Sequence, residues 1–125
     1  MINQIRKWVP VIGLILFFTV ATHAGEVRIQ SIIRNPAQFD GNSVTISGKA
    51  TAVNETISRS GNAYSTFEVQ DADPAITIKV FTWGHPGTKA GDLVQVTGVF
   101  QQVKRVRQYT FYNEVEAQSV TPIAR

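Results

Sequence analysis

Residues 43–55 have the sequence SVTISGKATAVNE. Apolar and polar residues alternate along it, which is the period of a strand with one buried face. Gly48 and Ala50 are small, and small residues suit a strongly bent strand whose backbone lies close to a neighbour. The predicted inward set is Val44, Ile46, Gly48, Ala50 and Ala52. The stretch therefore predicts a long, curved first strand.

Four more segments alternate in the same way further along the chain. The first four segments are separated by Gly61-Asn62, by the sequence DADPA at residues 71–75 and by a Gly/Pro-rich connection over residues 84–92. The predicted core residues of segments two to five are Phe67, Val69, Ile76, Ile78, Val80, Val94, Val96, Gly98, Phe100, Tyr109, Phe111, Val115 and Ala117.

A short helix precedes the strands. Ile29, Ile32 and Ile33 recur at helical spacing, and Pro36 disfavours the α conformation at Asn35, so the helix has about two turns. The chain is thus predicted to be all-β with one N-terminal helix. Five short strands with a long bent first strand predict a closed Greek-key barrel, which is the layout of the five-stranded OB-fold. A two-sheet sandwich usually has about seven strands and is the second interpretation.

The first 24 residues have the organisation of a secretory signal peptide. Arg6 and Lys7 precede an uncharged, mostly apolar run over residues 8–21, and small residues follow up to Ala24. The run is shorter than the roughly 20 residues of a membrane-spanning helix, so we expect cleavage after Ala24; an uncleaved N-terminal anchor is the alternative. We therefore expect a periplasmic or secreted protein without a stable membrane span, in which residues 25–125 form one OB-fold domain.

Composition excludes several classes of protein. The net charge is +3, but without Arg6 and Lys7 ten basic residues face nine acidic ones, so a basic function requires a local patch. The absence of cysteine excludes disulfides, thiolate zinc sites and cysteine nucleophiles. His85 is the only histidine after residue 24 and has no neighbouring metal ligands in the sequence. No nucleophile and base form a set, so we expect no enzyme, no metal and no cofactor.

Basic and aromatic residues are interleaved in QQVKRVRQYTFYN, residues 101–113. Lys104, Arg105 and Arg107 lie where a turn is expected, although residues 104–108 contain no Gly, Asn or Pro that would fix a tight turn. They form either a charged hairpin tip that keeps an edge soluble or a mobile loop that grips a ligand. Alternation assigns Tyr109 and Phe111 to the core and leaves Tyr112 open.

A second aromatic group lies on the predicted second and third strands. The alternation of these strands turns Tyr64, Phe81 and Trp83 away from the core. Three interpretations of these rings are open. They form a platform on which bases stack, they cover one open end of the barrel beneath the helix, or they form a surface that binds another protein.

The chain resembles a known family through several motifs. They are GKA at residues 48–50, FEVQD at 67–71, ITIKVF at 76–81, GDLVQVTG at 91–98 and the lead-in NPAQFDG at 35–41. These motifs are similar to the OB-fold nucleic-acid-binding family of the anticodon-binding and helicase type, and the lead-in resembles small exported bacterial OB-fold proteins. The resemblance covers nearly all of residues 25–125.

The resemblance implies a ligand that lies across strands two and three, held by the loops between strands one and two and strands four and five. The implied ligand-binding residues on this face are Tyr64, Thr66, Lys79, Phe81 and Trp83. Those of the loops are Arg59, Lys104, Arg105 and Arg107. The first hypothesis is an exported non-catalytic module that binds single-stranded nucleic acid; the competing one is a periplasmic domain that binds an envelope protein or a saccharide with the same face.

Overall fold

The structure is a computed structural model and describes residues 25–123. The expected signal peptide, residues 1–24, lies outside the described residues. Two short helices, α1 (Ile29–Arg34) and α2 (Pro36–Phe39), precede the strands. The five strands are β1 (Ser43–Ile57), β2 (Ala63–Gln70), β3 (Thr77–Trp83), β4 (Leu93–Val106) and β5 (Tyr109–Pro122). No helix among residues 25–123 is long and apolar enough to cross a membrane.

The five strands form a closed barrel in the order β1-β2-β3-β5-β4. β3 and β5 run parallel, with Lys79 opposite Glu114 and Phe81 opposite Glu116, and every other neighbouring pair is antiparallel. A barrel of five strands with this crossover is the OB-fold Greek key, so the predicted all-β OB-fold with a short N-terminal helix is confirmed. α2 was not predicted; it begins at Pro36, where the missing N–H of proline costs no helical hydrogen bond.

β1 closes the barrel because it pairs with two neighbours in succession. Its first half pairs with β4 and its second half with β2, and both pairings include Lys49. At the bend, a Cβ added to Gly48 would collide with the backbone carbonyl oxygen of Gln70. A Cβ on Gly98 of β4 would collide with the carbonyl oxygen of Glu116 on β5. Both glycines therefore permit close backbone approach, as predicted for Gly48.

The core fills the interior of the barrel and includes residues of α1. α1 contributes Ile29 and Ile32 to it, so the helix packs its apolar face onto the barrel. The remaining buried apolar residues come from the strands: Val44, Ile46, Ala50, Phe67, Val69, Ile78, Val80, Val94, Val96, Phe100 and Val115. All of these strand residues belong to the predicted inward sets.

Three predicted core residues, Ala52, Tyr109 and Phe111, lie outside the core because left-handed residues interrupt the alternation. Ala52 has φ +52° at an irregularity between Thr51 and Asn54, so Ala52 is exposed and Val53 packs against the core instead. A similar interruption occurs in β5 at Asn113, whose φ is +53°.

Tyr109 and Phe111 precede Asn113 and do not share the buried phase of Val115. Tyr109 is 58% exposed and Phe111 is half-buried, so the prediction that both belong to the core is wrong. Of the two alternatives for Lys104, Arg105 and Arg107, the structure has the hairpin tip, because β4 continues to Val106. A two-residue turn, with Arg107 at φ +56°, joins β4 to β5.

Candidate ligand-binding groove

A groove crosses the β2–β3 face of the barrel. It consists of three adjoining cavities of about 480, 400 and 280 Å³, which we call the mouth, the middle cavity and the inner cavity. The mouth shares Trp83 and Val106 with the middle cavity, which shares Phe111 and Glu114 with the inner cavity, so the three are continuous. The mouth also contains Arg59, Arg107 and Tyr109; the middle cavity contains Tyr64, Phe81, Lys104 and Glu116; and the inner cavity contains Glu68 and Lys79.

Three aromatic rings of β2 and β3 form one wall of the groove. Tyr64 lies directly opposite Trp83 in the antiparallel pair, and Phe81 is two residues before Trp83 on the same strand face. The Tyr64 and Phe81 rings stack with centroids 5.4 Å apart, and the Trp83 ring meets that of Phe81 edge-on at 5.0 Å. Trp83 is 57% exposed, so the cluster leaves a large ring surface open to the groove. None of the residues that line the three cavities belongs to α1.

The β4–β5 hairpin forms the opposite wall. Lys104 pairs with Phe111 and Val106 with Tyr109, and all four side chains line the groove. The Tyr109 and Phe111 rings lie with their centroids 6.5 Å apart. Alternation alone did not identify these two rings as groove residues. The one signal in the sequence is Asn113, because asparagine tolerates the left-handed conformation that interrupts the strand there.

Lys104 joins three strands at the base of the middle cavity. Its Nζ donates a hydrogen bond to Glu114 Oε1 at 3.1 Å and lies 3.7 Å from Glu116 Oε1, and both glutamates belong to β5. The same ammonium lies 4.3 Å from the centroid of the Phe81 ring of β3, within cation–π distance. The Lys104 and Glu114 side chains are only 16% and 6% exposed. Lys104 therefore holds the hairpin against the barrel, and two carboxylates already balance its charge.

The two arginines at the mouth, unlike Lys104, are exposed. The turn that carries Arg59 is closed by hydrogen bonds between Ser58 and Asn62: Ser58 N donates to Asn62 O at 2.8 Å, and Asn62 N donates to Ser58 Oγ at 3.1 Å. Arg107 lies in the β4–β5 turn, and both arginines are exposed at the mouth. Within residues 25–123, Arg28 forms an ion pair with Asp71, and Lys104 forms ion pairs with Glu114 and Glu116. Neither arginine at the mouth therefore has a carboxylate partner among these residues.

The other implied ligand-binding residues are distributed unevenly. Thr66 lines the middle and inner cavities, and Lys79 lies in the inner cavity, where its cross-strand neighbours are Glu68 and Glu114. Arg105 does not line any of the three cavities; it pairs with Thr110 and lies between two groove-facing residues of β4. The structure thus brings eight of the nine implied ligand-binding side chains to one groove, with the two unpaired arginines at the mouth and the paired Lys104 inside.

Three other polar side chains, His85, Asp71 and Asp73, form local structure. His85 Nε2 donates to the carbonyl oxygen of Thr56 at 3.0 Å and ties the β3–β4 connection to the end of β1. Asp71 and Asp73 accept hydrogen bonds from the backbone N–H groups of Ala72 and Ala75, so they stabilise a turn. In the described part of the chain, no group of three or more acidic or histidine side chains is placed to hold a metal ion.

Comparison with known proteins identifies the fold only. No protein-family model matches the chain, and no curated protein matches its sequence. A structure of an OBody, AM3L09, bound to hen egg-white lysozyme is 12% identical, with a TM-score of 0.52 over 69% of this chain and 85% of that one. A putative aspartyl-tRNA synthetase from Leishmania major Friedlin is 10% identical, with a TM-score of 0.58 over 83% of this chain and 21% of that one. Together with the strand order, these likenesses identify an OB-fold.

Proposed function

We propose that the protein is an exported, non-catalytic binding module that holds single-stranded nucleic acid in the groove. The observation that carries the proposal is the cluster of Tyr64, Phe81 and Trp83, which lies outside the core beside the exposed Arg59 and Arg107. A groove that combines aromatic faces with arginines is the usual means by which OB-folds bind single strands.

Stacking would occur mainly at the mouth. Trp83 and Tyr109 are both more than half exposed there, and each base stacked on such a ring contributes on the order of 1–3 kcal/mol. One face of Phe81 is occupied by the ammonium of Lys104, so Phe81 supports its aromatic neighbours rather than receiving a base.

Phosphate contacts would come from Arg59 and Arg107. Lys104 is a poor phosphate ligand because two carboxylates already balance its charge, Lys79 lies across from Glu68 and Glu114 on the neighbouring strands, and Arg105 does not line the groove. The strand would therefore run across the mouth with its phosphates on the two arginines and its bases directed into the groove.

The signal-peptide pattern of residues 1–24 supports export to the periplasm or beyond, where the ligand would be imported or extracellular nucleic acid. The motif resemblance to OB-folds of the anticodon-binding and helicase type supports the same ligand class. Residues 25–125 would act as one domain without a cofactor.

One observation favours a second candidate. The inner part of the groove has no unbalanced positive charge, because Glu68, Glu114 and Glu116 accompany Lys79 and Lys104. Aromatic rings beside carboxylates also suit an uncharged saccharide or a segment of an envelope protein, and OB-folds bind oligosaccharides as well as oligonucleotides.

The two candidates are separated by titrating the purified protein into fluorescently labelled single-stranded DNA and RNA at low and moderate salt. Nucleic-acid binding predicts an affinity that falls as salt rises and falls further in R59A/R107A, whereas R105A serves as a matched control because Arg105 lies outside the groove. No detectable binding at low salt would refute the nucleic-acid proposal and leave the saccharide or protein candidate.

A further inference from the structure

The base of the middle cavity presents a hydrogen-bond donor and a hydrogen-bond acceptor side by side. The Lys104 ammonium can only donate, and the ionised carboxylate of Glu116, 3.7 Å away, can only accept. The Glu116 side chain is 41% exposed, whereas that of Glu114 is 6% exposed. Glu116 is therefore the carboxylate that a ligand in the groove can reach.

The surroundings of this pair favour a flat ligand. Tyr64, Trp83 and Phe111 line the same cavity as Lys104 and Glu116. A planar group in this cavity would lie against the rings with its faces and would meet Lys104 and Glu116 with its edge, since all of these side chains line the cavity.

The four bases differ in how well their edges match that pair. The Watson–Crick edge of guanine carries two adjacent donors, N1–H and the N2 amino group, next to the acceptor O6. A carboxylate can accept both donors at once, and paired charge-assisted hydrogen bonds of this kind are strong and geometrically specific. Adenine and cytosine offer a single amino group beside acceptors, and thymine or uracil flanks its one N–H with two carbonyl oxygens that would face the carboxylate.

We propose that the middle cavity is a guanine-selective subsite in which Glu116 accepts hydrogen bonds from N1–H and N2 while Lys104 donates to O6. Glu114 positions the ammonium through its 3.1 Å hydrogen bond, and it does not contact the base. The inference rests on the proposed function, and it gives an acidic side chain a role in a groove for a polyanion: Glu116 contacts the base, and the phosphates stay at the mouth.

The test compares short labelled thymine strands, about ten nucleotides long and so within the site size of an OB-fold, that contain one central guanine, one central inosine or neither. Inosine keeps O6, N1–H and the purine ring but lacks the N2 amino group. A lost bidentate contact changes base discrimination by about tenfold, so we expect the guanine strand to bind about tenfold more tightly than the inosine strand. A single guanine also avoids association between strands.

The variant E116Q should abolish this preference, because an amide has one acceptor oxygen where the carboxylate has two. E26Q is the matched control; Glu26 is exposed and lies in the segment before α1, and E26Q removes the same charge without touching the groove. Equal binding of the guanine and inosine strands by the native protein would overturn the inference while leaving the proposed function intact. A preference that survives in folded E116Q would overturn it as well. Failure to bind any strand at low salt would instead overturn the proposed function.

Discussion

Replacing Lys104 by methionine should destabilise the protein strongly, although a lysine near a hairpin turn is usually dispensable. Methionine keeps much of the apolar stem but removes the ammonium, which leaves the buried carboxylate of Glu114 without its partner. Breaking a fully buried ion pair costs about 3–5 kcal/mol, and an exposed pair contributes at most about 1 kcal/mol. With side chains 16% and 6% exposed, the pair lies near the buried limit, so we expect K104M to lower the free energy of unfolding by about 2–3 kcal/mol.

Urea unfolding of K104M, E114Q and the double variant measures this contribution as a double-mutant cycle. Since E114Q removes the unpaired charge, the double variant should be less destabilised than the sum of the single variants, with a coupling energy of about 1–3 kcal/mol. K89M is the matched control: Lys89 is exposed and has no ion pair among the described residues, so its stability should stay within about 0.5 kcal/mol of the native protein. A K104M protein as stable as K89M, or a cycle without coupling, would refute the assignment of Lys104 to a buried pair.

Three further predictions concern the groove and the barrel. W83A should weaken single-strand binding about tenfold or more in fluorescence anisotropy, because one stacked base is lost. Its thermal unfolding should change little, since Trp83 is largely exposed. Equal affinity of W83A and the native protein would show that Trp83 is not part of the binding site. R59A/R107A should reduce the slope of log affinity against log salt by about 1.4, since each phosphate contact of a single strand contributes about 0.7. An unchanged slope would mean that neither arginine contacts phosphate. G98A should lower the free energy of unfolding by more than about 3 kcal/mol, because its Cβ would collide with the carbonyl oxygen of Glu116, and a stability equal to that of the native protein would contradict this close approach.

Alternation predicted the strands well wherever they remain regular. Val44, Ile46, Ala50, Phe67 and Val69 all lie in the core as expected, because burial of one face of a strand imposes the period of two. The prediction failed where a residue with positive φ interrupts a strand. Ala52 is the clearest example, since nothing about an alanine announces a left-handed conformation.

The candidate groove was predictable in part for the same reason. Tyr64, Phe81 and Trp83 lie on regular strands, and their place outside the core follows from phase alone. Tyr109 was assigned to the wrong side because its phase was counted from Val115 across the left-handed Asn113. The pairing of Lys104 with Glu114 depends on how the hairpin bends over the barrel, which the local sequence does not contain.

The central claim, that the groove holds single-stranded nucleic acid, is tested most directly by the fluorescence of Trp83. In the chain without residues 1–24, Trp83 is the only tryptophan, so its emission reports on the groove alone. A base stacked on the indole should quench this emission as single-stranded DNA or RNA is added at low salt, and rising salt should reverse the quenching. Emission that does not change with either nucleic acid at low salt would contradict the claim.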